Sequence, residues 1–191
     1  MALKLVTAAT APLVTLAEAK RHVHAADFID DDAYLEALVA TATAHIDGAS
    51  GWLGRAIGSS VWQLRLDCFP CERINIPLPP LQDVTELAYT ATDGTSQTIT
   101  DFREFGVGSA NNQGFVLPAY DEDWPDTRDD QPEAVRITFT AGYATIPVQV
   151  KHAILLLIGD WYRNRENASE IKLNEMPRGV DALLYPLRFW G

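Results

Sequence analysis

The sequence predicts an α+β fold: a helical core made of an N-terminal helix pair, a long C-terminal helix and a short terminal helix, with a central antiparallel β region. Two patterns and one compositional fact carry that expectation. Apolar residues recur at helical spacing in the stretches before residue 50 and after residue 147. Between them, short runs alternate with a period of two and are bounded by Gly, Pro and Asp. The 191 residues are 47% hydrophobic and 21% charged, which is enough apolar material to bury a core without disulfides or metal.

Residues 1–14 read as extended and mostly apolar. Thr15-Leu16-Ala17-Glu18 is a capping-box pattern, with Thr15 as N-cap and Glu18 reaching back, so a helix is expected over about 15–25. Asp30, Asp31 and Asp32 supply acceptors and negative charge for a second helix start. Leu35, Leu38, Val39, Ala42 and Ile46 then form one stripe at i, i+3, i+4, i+7 and i+11, so the second helix is expected over about 31–50. Gly48 and Gly51 are suited to ending it.

The β region is expected over about 60–141. Val61, Gln63, Arg65 and Asp67 alternate with Trp62, Leu64 and Leu66, which predicts a strand over 60–67. Ile74 and Ile76 flank Asn75 before Pro77, Pro79 and Pro80 break pairing. Val84–Thr90 and Gln97–Thr100 bracket the hairpin turn Asp93-Gly94. Phe115–Leu117 and Val135–Thr140 predict further short strands. Tyr120–Glu133 sets seven acids against the single Arg128, a local charge of −6, and its two prolines make it a solvated loop.

Pro147 suits the first position of the long helix, expected over about 147–165. Val150, Ala153, Ile154, Leu157 and Trp161 make its stripe, and Leu155, Leu156 and Ile158 widen it. A helix apolar over most of its surface is buried over most of it, either centrally or against a neighbouring subunit. After Pro177, a short helix carries Val180, Leu183, Leu184 and Leu187; Pro186 should stop or kink it, and Phe189 and Trp190 follow. The expected organisation is one domain over residues 1–176 and a C-terminal arm over 177–191. The apolar, aromatic arm either folds back on its own core or docks on a partner as an amphipathic anchor.

Several chemistries find no support. The net charge of −11 argues against binding nucleic acid through a basic patch. No apolar run approaches the length needed to span a bilayer, and the first residues lack the apolar core of a signal peptide, so the expectation is a cytosolic protein with no membrane partner. The sequon Asn167-Ala168-Ser169 then carries no meaning. Cys68-Phe69-Pro70-Cys71 has thioredoxin-like spacing, but it follows a strand and precedes a proline-rich extended stretch, where a dithiol site needs a helix N-terminus. With no second Cys pair, zinc is not supported. The two cysteines are expected to be reduced turn residues. His22 and His24 do not share a helix face, and His45 and His152 are isolated. Gly106-Val107-Gly108 begins like a dinucleotide loop, yet Asn111 stands at the third glycine and a strand follows. Asp121-Glu122-Asp123 lacks the Asn/Asp and Gly that a calcium loop requires further on. No cofactor, metal or catalytic residue is therefore expected.

The ordered set of segments points elsewhere. Thr15–Lys20, Ala37-Leu38-Val39, Gly51–Ala56, Trp62-Gln63-Leu64, Pro77–Leu81, Ala141-Gly142-Tyr143, Pro147 with Ala153–Leu157, and Asp160–Glu166 resemble, in that order, the head–tail connector (adaptor) proteins of long-tailed phages, prophages and gene transfer agents. The resemblance covers nearly the whole chain except about 100–133. It implies a structural protein of the particle neck, assembled in the bacterial cytoplasm as a homo-oligomeric ring of about a dozen copies below the portal of a DNA-filled head. Residues 1–176 would be the adaptor domain and 177–191 the portal-docking arm, through Val180, Leu183, Leu184, Leu187, Phe189 and Trp190. The opposite face would receive the stopper or tail protein. Leu155, Leu156, Ile158, Trp161 and Tyr162 are candidates for packing between subunits. Asp121, Glu122, Asp123, Asp126, Asp129 and Asp130 are candidates for an acidic channel or rim loop past which duplex DNA moves without specific binding. The competing readings are another neck or tail-completion protein (a stopper or terminator) and a cytosolic dithiol oxidoreductase at Cys68 and Cys71.

Overall fold

The computed structural model describes residues 1–110, 112–165 and 177–190. The chain divides into two compact units, one built from Met1–Thr10 and Arg55–Ala144, the other from Ala11–Gly54 and Thr145–Trp190.

The first unit is all β. Strands β1 (Ala2–Thr7), β2 (Ser60–Leu66), β4 (Leu81–Thr90), β5 (Ser96–Ile99) and β8 (Val135–Ala141) form an antiparallel sheet in the order β1-β2-β8-β4-β5. Strands β3 (Ile74–Asn75), β6 (Phe102–Phe105) and β7 (Phe115–Pro118) form a second sheet in the order β3-β7-β6. The period of two does the sorting. In β8, Val135, Ile137, Phe139 and Ala141 are buried while Arg136, Thr138 and Thr140 face outward. Phe139 sits opposite Trp62 on one side and Val84 on the other, all three in the core. The outward face is laced together by polar pairs: Gln63 donates to the Thr138 hydroxyl at 3.5 Å, and Arg65 pairs with Glu133 at 2.6 Å. The β4–β5 hairpin turns at Asp93-Gly94 as predicted, with Gly94 at φ +87° and Asp93 accepting from the Thr95 amide at 2.8 Å. Gly142, at φ +128°, lies so close to Gly58 that a Cβ would stand 2.4 Å from that residue's carbonyl oxygen, so only glycine fits.

The second unit is helical: α1 (Leu16–His22), α2 (Asp32–Ile46), α3 (Val148–Arg163) and α4 (Arg178–Leu184), followed by a 3₁₀ turn over Tyr185–Leu187. The capping box forms as expected. The Thr15 hydroxyl accepts from the Glu18 amide at 3.2 Å, and the Glu18 carboxylate accepts from the Thr15 amide at 2.8 Å. Leu35, Leu38, Ala42 and Ile46 of α2 are buried, so four of the five stripe residues reach the core and Val39 lies at its edge. Lys20 of α1, only 9% exposed, pairs with Asp32 at 2.6 Å, which explains how a lysine is tolerated there.

Four differences from the sequence-based expectations have local causes. β1 is a paired edge strand and not merely extended, because β2 offers a hydrogen-bonding edge that local periodicity cannot reveal. β6 lies inside a stretch where no strand was expected; its pairing partner β7 is supplied by tertiary structure. α2 ends at Ile46, before the two glycines, since the Asp47 backbone turns extended and Gly51 packs directly on the last helical carbonyls. Pro147 caps α3 and does not occupy its first turn.

Candidate docking surfaces

The C-terminal arm divides its apolar residues between two tasks. α4 packs on α3, and Val180 and Leu184 have no exposed surface. These two proposed docking residues are tied into the chain's own core, because a seven-residue helix can only be ordered by burying one side. Leu183, Leu187 and Phe189 are half-buried, and Trp190 is 65% exposed. The exposed Tyr185 belongs with them, though the sequence did not single it out.

A clamp holds this segment in place. The Phe189 amide donates to the Leu53 carbonyl at 2.9 Å, and Gly54, at φ +62°, lets the two backbones approach: a Cβ there would stand 3.1 Å from the Phe189 carbonyl oxygen. The Arg188 guanidinium lies 4.5 Å from the Trp52 ring centroid and 4.0 Å from that of Trp190. Trp190 also meets Tyr185 edge-on at 6.3 Å. Sequence reasoning missed Trp52 and Arg188 as a pair because they are distant along the chain; the only available signal was a tryptophan beside two glycines.

α3 has less spare apolar surface than its composition suggests. Ile158 is fully buried, which removes it as a candidate for packing between subunits. Leu155, Leu156, Trp161 and Tyr162 are half-buried. Trp161 meets His45 edge-on at 6.3 Å, and Tyr162 donates to Asp31 at 2.6 Å. Arg165 also binds Asp31, with its guanidinium 4.8 Å from the Tyr34 ring and 4.5 Å from the Tyr162 ring. The Arg165 and Tyr162 hydrogen bonds hold the Asp31 carboxyl below its ordinary range, and the bond to Asp31 pushes the Tyr162 phenol up.

In the acidic loop, Asp121, Glu122, Asp123, Asp126, Asp129 and Asp130 are all exposed. Arg128 pairs with Asp130 at 2.5 Å, which holds that carboxyl down. Trp124 anchors the loop by stacking on Phe69 at 4.9 Å, nearly parallel, and by donating to the Glu72 carbonyl at 3.2 Å. Charge therefore faces solvent from a loop whose position is fixed by an aromatic pair.

The residues that could carry chemistry are dispersed. Cys68 and Cys71 are both exposed in the turn between β2 and β3, next to a groove of about 710 Å³ that the acidic loop also lines. His22 lies against Gly159 of α3, and burial lowers its pKa, with His152 and His24 adding to the effect. Gly106 and Gly108 sit in the β6–β7 turn, and the Gly108 amide donates to the Leu81 carbonyl at 2.7 Å. Among the described residues no group of His, Cys, Asp and Glu could hold a metal ion, and no helix is long and apolar enough to cross a membrane. The sequon at Asn167 lies outside the described residues.

Comparison with known proteins places these elements beside two groups of relatives. Residues 128–188, which include β8, α3 and α4, match the family described as phage gp6-like head–tail connector protein. No curated protein sequence matches the chain. Three solved structures share its fold over 100% of this chain and 97% of theirs. A chain from the neck of an empty GTA particle, computed with C6 symmetry, superposes with a TM-score of 0.73 at 25% identity. A chain from the neck of a native GTA particle with C12 symmetry gives 0.69 at 25% identity. A chain from the virion of a native gene transfer agent particle gives 0.72 at 23% identity and supports the fold alone. Its C-terminal third thus matches the head–tail connector family, and its whole length shares the fold of chains from the neck of gene transfer agent particles.

Proposed function

We propose that this protein is the adaptor of a particle neck, a structural ring between the portal of a DNA-filled head and the stopper or tail. The observation that carries this reading is the coincidence of the connector-family match with α3 and the arm, inside a fold matching neck chains end to end. C6 and C12 symmetry in those necks supports a ring of about a dozen copies. The arm residues that retain exposure, Leu183, Leu187, Phe189 and Trp190, are proposed to dock on the portal, with Val180 and Leu184 holding them in position. Leu155, Leu156, Trp161 and Tyr162 are proposed to contribute what surface they still show to packing between copies. The acidic loop, from Asp121 to Asp130, is proposed to face the DNA path, where like charge prevents adhesion of the duplex.

Electron microscopy of particles tests the assignment directly: density for this chain should form a ring between portal and tail. Deleting the residues after Pro177 should give full heads without tails. Normally tailed particles from that deletion would refute the docking role. Density placing Asp121–Asp130 on the outer rim would remove the channel assignment.

A further inference from the structure

We propose that Arg188, held over Trp52 and Trp190, receives a carboxylate from an acidic, otherwise apolar segment of the protein on which the arm docks. This rests on the docking reading and names the chemistry of the partner's surface.

The guanidinium carbon of Arg188 lies over two indoles, 4.5 Å from the Trp52 ring centroid and 4.0 Å from that of Trp190. Stacking on rings occupies the faces of a guanidinium and leaves the N–H edge as its route to an acceptor. Among the described residues Arg188 forms no ion pair. A planar, edge-on fork is the arrangement that binds a carboxylate through two parallel hydrogen bonds. Ordering Arg188 beforehand also lowers the entropy lost on binding.

Charge and neighbouring surface narrow the occupant. The chain carries −11 overall, yet its described arm sets Arg178 and Arg188 against Asp181 alone. A locally cationic stretch on an acidic protein complements an acidic partner. Beside Arg188, Tyr185 and Trp190 are 59% and 65% exposed, which offers aromatic surface to apolar side chains next to the carboxylate. Aromatic residues and arginine together form the typical centre of a protein interface. A duplex would bring phosphates instead, but the rest of the chain repels it.

Trp52 is then a positioning residue. It forms the fixed wall of the cluster, next to Leu53, whose carbonyl binds the Phe189 amide. Its removal should weaken docking without removing any group that reaches the partner.

The test uses the full-length chain and the isolated portal ring of the same particle, with binding measured over a range of salt concentrations. Arg188→Gln should weaken binding by about tenfold or more, the usual effect of losing a charge-assisted hydrogen bond, and should flatten the salt dependence. Arg188→Lys should keep the salt dependence and recover little affinity. Trp52→Ala should lower affinity and also speed amide exchange at Phe189. Circular dichroism matching the unmodified chain would show each variant folded. If Arg188→Gln and Arg188→Glu bind normally while Trp190→Ala does not, the carboxylate inference is wrong and the docking reading survives. If deleting the residues after Pro177 leaves binding intact, both are wrong. Binding of a duplex oligonucleotide that depends on Arg188 would assign the site to phosphate and overturn the inference.

Discussion

Replacing Leu184 with alanine should undock the arm while leaving the β unit intact. α4 has seven residues, well below the roughly 12–15 at which an isolated helix becomes stable in water. Its order therefore comes from packing, and Val180 and Leu184 are its two fully buried side chains. Truncating a buried leucine to alanine removes its transfer free energy and leaves a cavity, a cost of about 2–5 kcal/mol. That loss falls on the local equilibrium between docked and undocked arm and not on global unfolding. At about 1.4 kcal/mol per factor of ten, even the lower bound corresponds to about 30-fold faster exchange of the α4 amides. Hydrogen exchange read by mass spectrometry would show this over 178–187, with β2 and β8 unchanged. Leu183→Ala in the same helix removes a half-buried side chain and should cost less than about 1.5 kcal/mol. It should instead impair particle assembly. Equal protection of α4 in the Leu184→Ala and unmodified chains would refute the claim that packing alone orders the arm.

Four further outcomes follow from the described contacts. Thr15→Ala removes the N-cap acceptor of α1 and should cost about 1 kcal/mol, read as a lower urea midpoint; an unchanged midpoint would show that the box contributes nothing. The Glu18 carboxyl is held below its ordinary value of 4.5 by the Thr15 amide first, then by the Thr15 hydroxyl, and later by Lys151. Its contribution is therefore complete above that value and is lost as pH falls through the lower folded-state value, so Glu18→Gln should flatten the acid limb of stability against pH. Phe139→Ala empties the centre of the β core and should cost about 3–5 kcal/mol in chemical denaturation; a loss under about 1 kcal/mol would show that this core collapses around the gap. Cys68→Ser with Cys71→Ser alters two exposed turn residues, so stability should stay within about 0.5 kcal/mol and particle yield should hold. Assembled rings lacking function in that double variant would revive the dithiol reading.

What could be read from the sequence were the features written in local chemistry. Thr15 and Glu18 announced a helix start because the capping box needs only neighbours. Asp93-Gly94 announced a hairpin because a turn needs only its own residues. The β-branched and aromatic run Val135–Thr140 announced a strand where β8 stands. What stayed hidden depends on residues far apart in the chain. β6 looks polar and broken, with Arg103 and Glu104 between two phenylalanines, and becomes a strand only beside β7. Val180 and Leu184 differ from Leu183 in no way the sequence can show; only contact with α3 separates structural from available surface. The Trp52–Arg188–Trp190 cluster joins residues more than 130 positions apart, so no window contains it. The resemblance to connector proteins was carried by segment order, and the family match falls on the C-terminal part of that order.

The helix that first suggested a subunit-packed ring leads to a further expectation about how the ring forms. α3 reads as greasy on nearly every side, yet Val150, Ala153, Ile154, Leu157 and Ile158 are buried within the chain. The most exposed large apolar residues, Met1, Val148, Tyr120 and Ile29 at 84%, 78%, 78% and 73%, lie in different segments, and only Val148, at its first position, belongs to α3. Scattered apolar residues of this kind are ordinary surface and do not drive strong association. Meanwhile each copy carries −11, so bringing copies together in solution costs repulsion that salt only partly screens. Attraction spread this thinly should not close a ring unaided. The free chain should then sediment as a monomer at micromolar concentration and low salt, and should assemble when portal rings are added, because docking raises its local concentration on a symmetric template. Rings formed by the isolated chain at low salt would refute this, and would mean that the half-buried face of Leu155, Leu156, Trp161 and Tyr162 binds far more strongly than its remaining exposure allows.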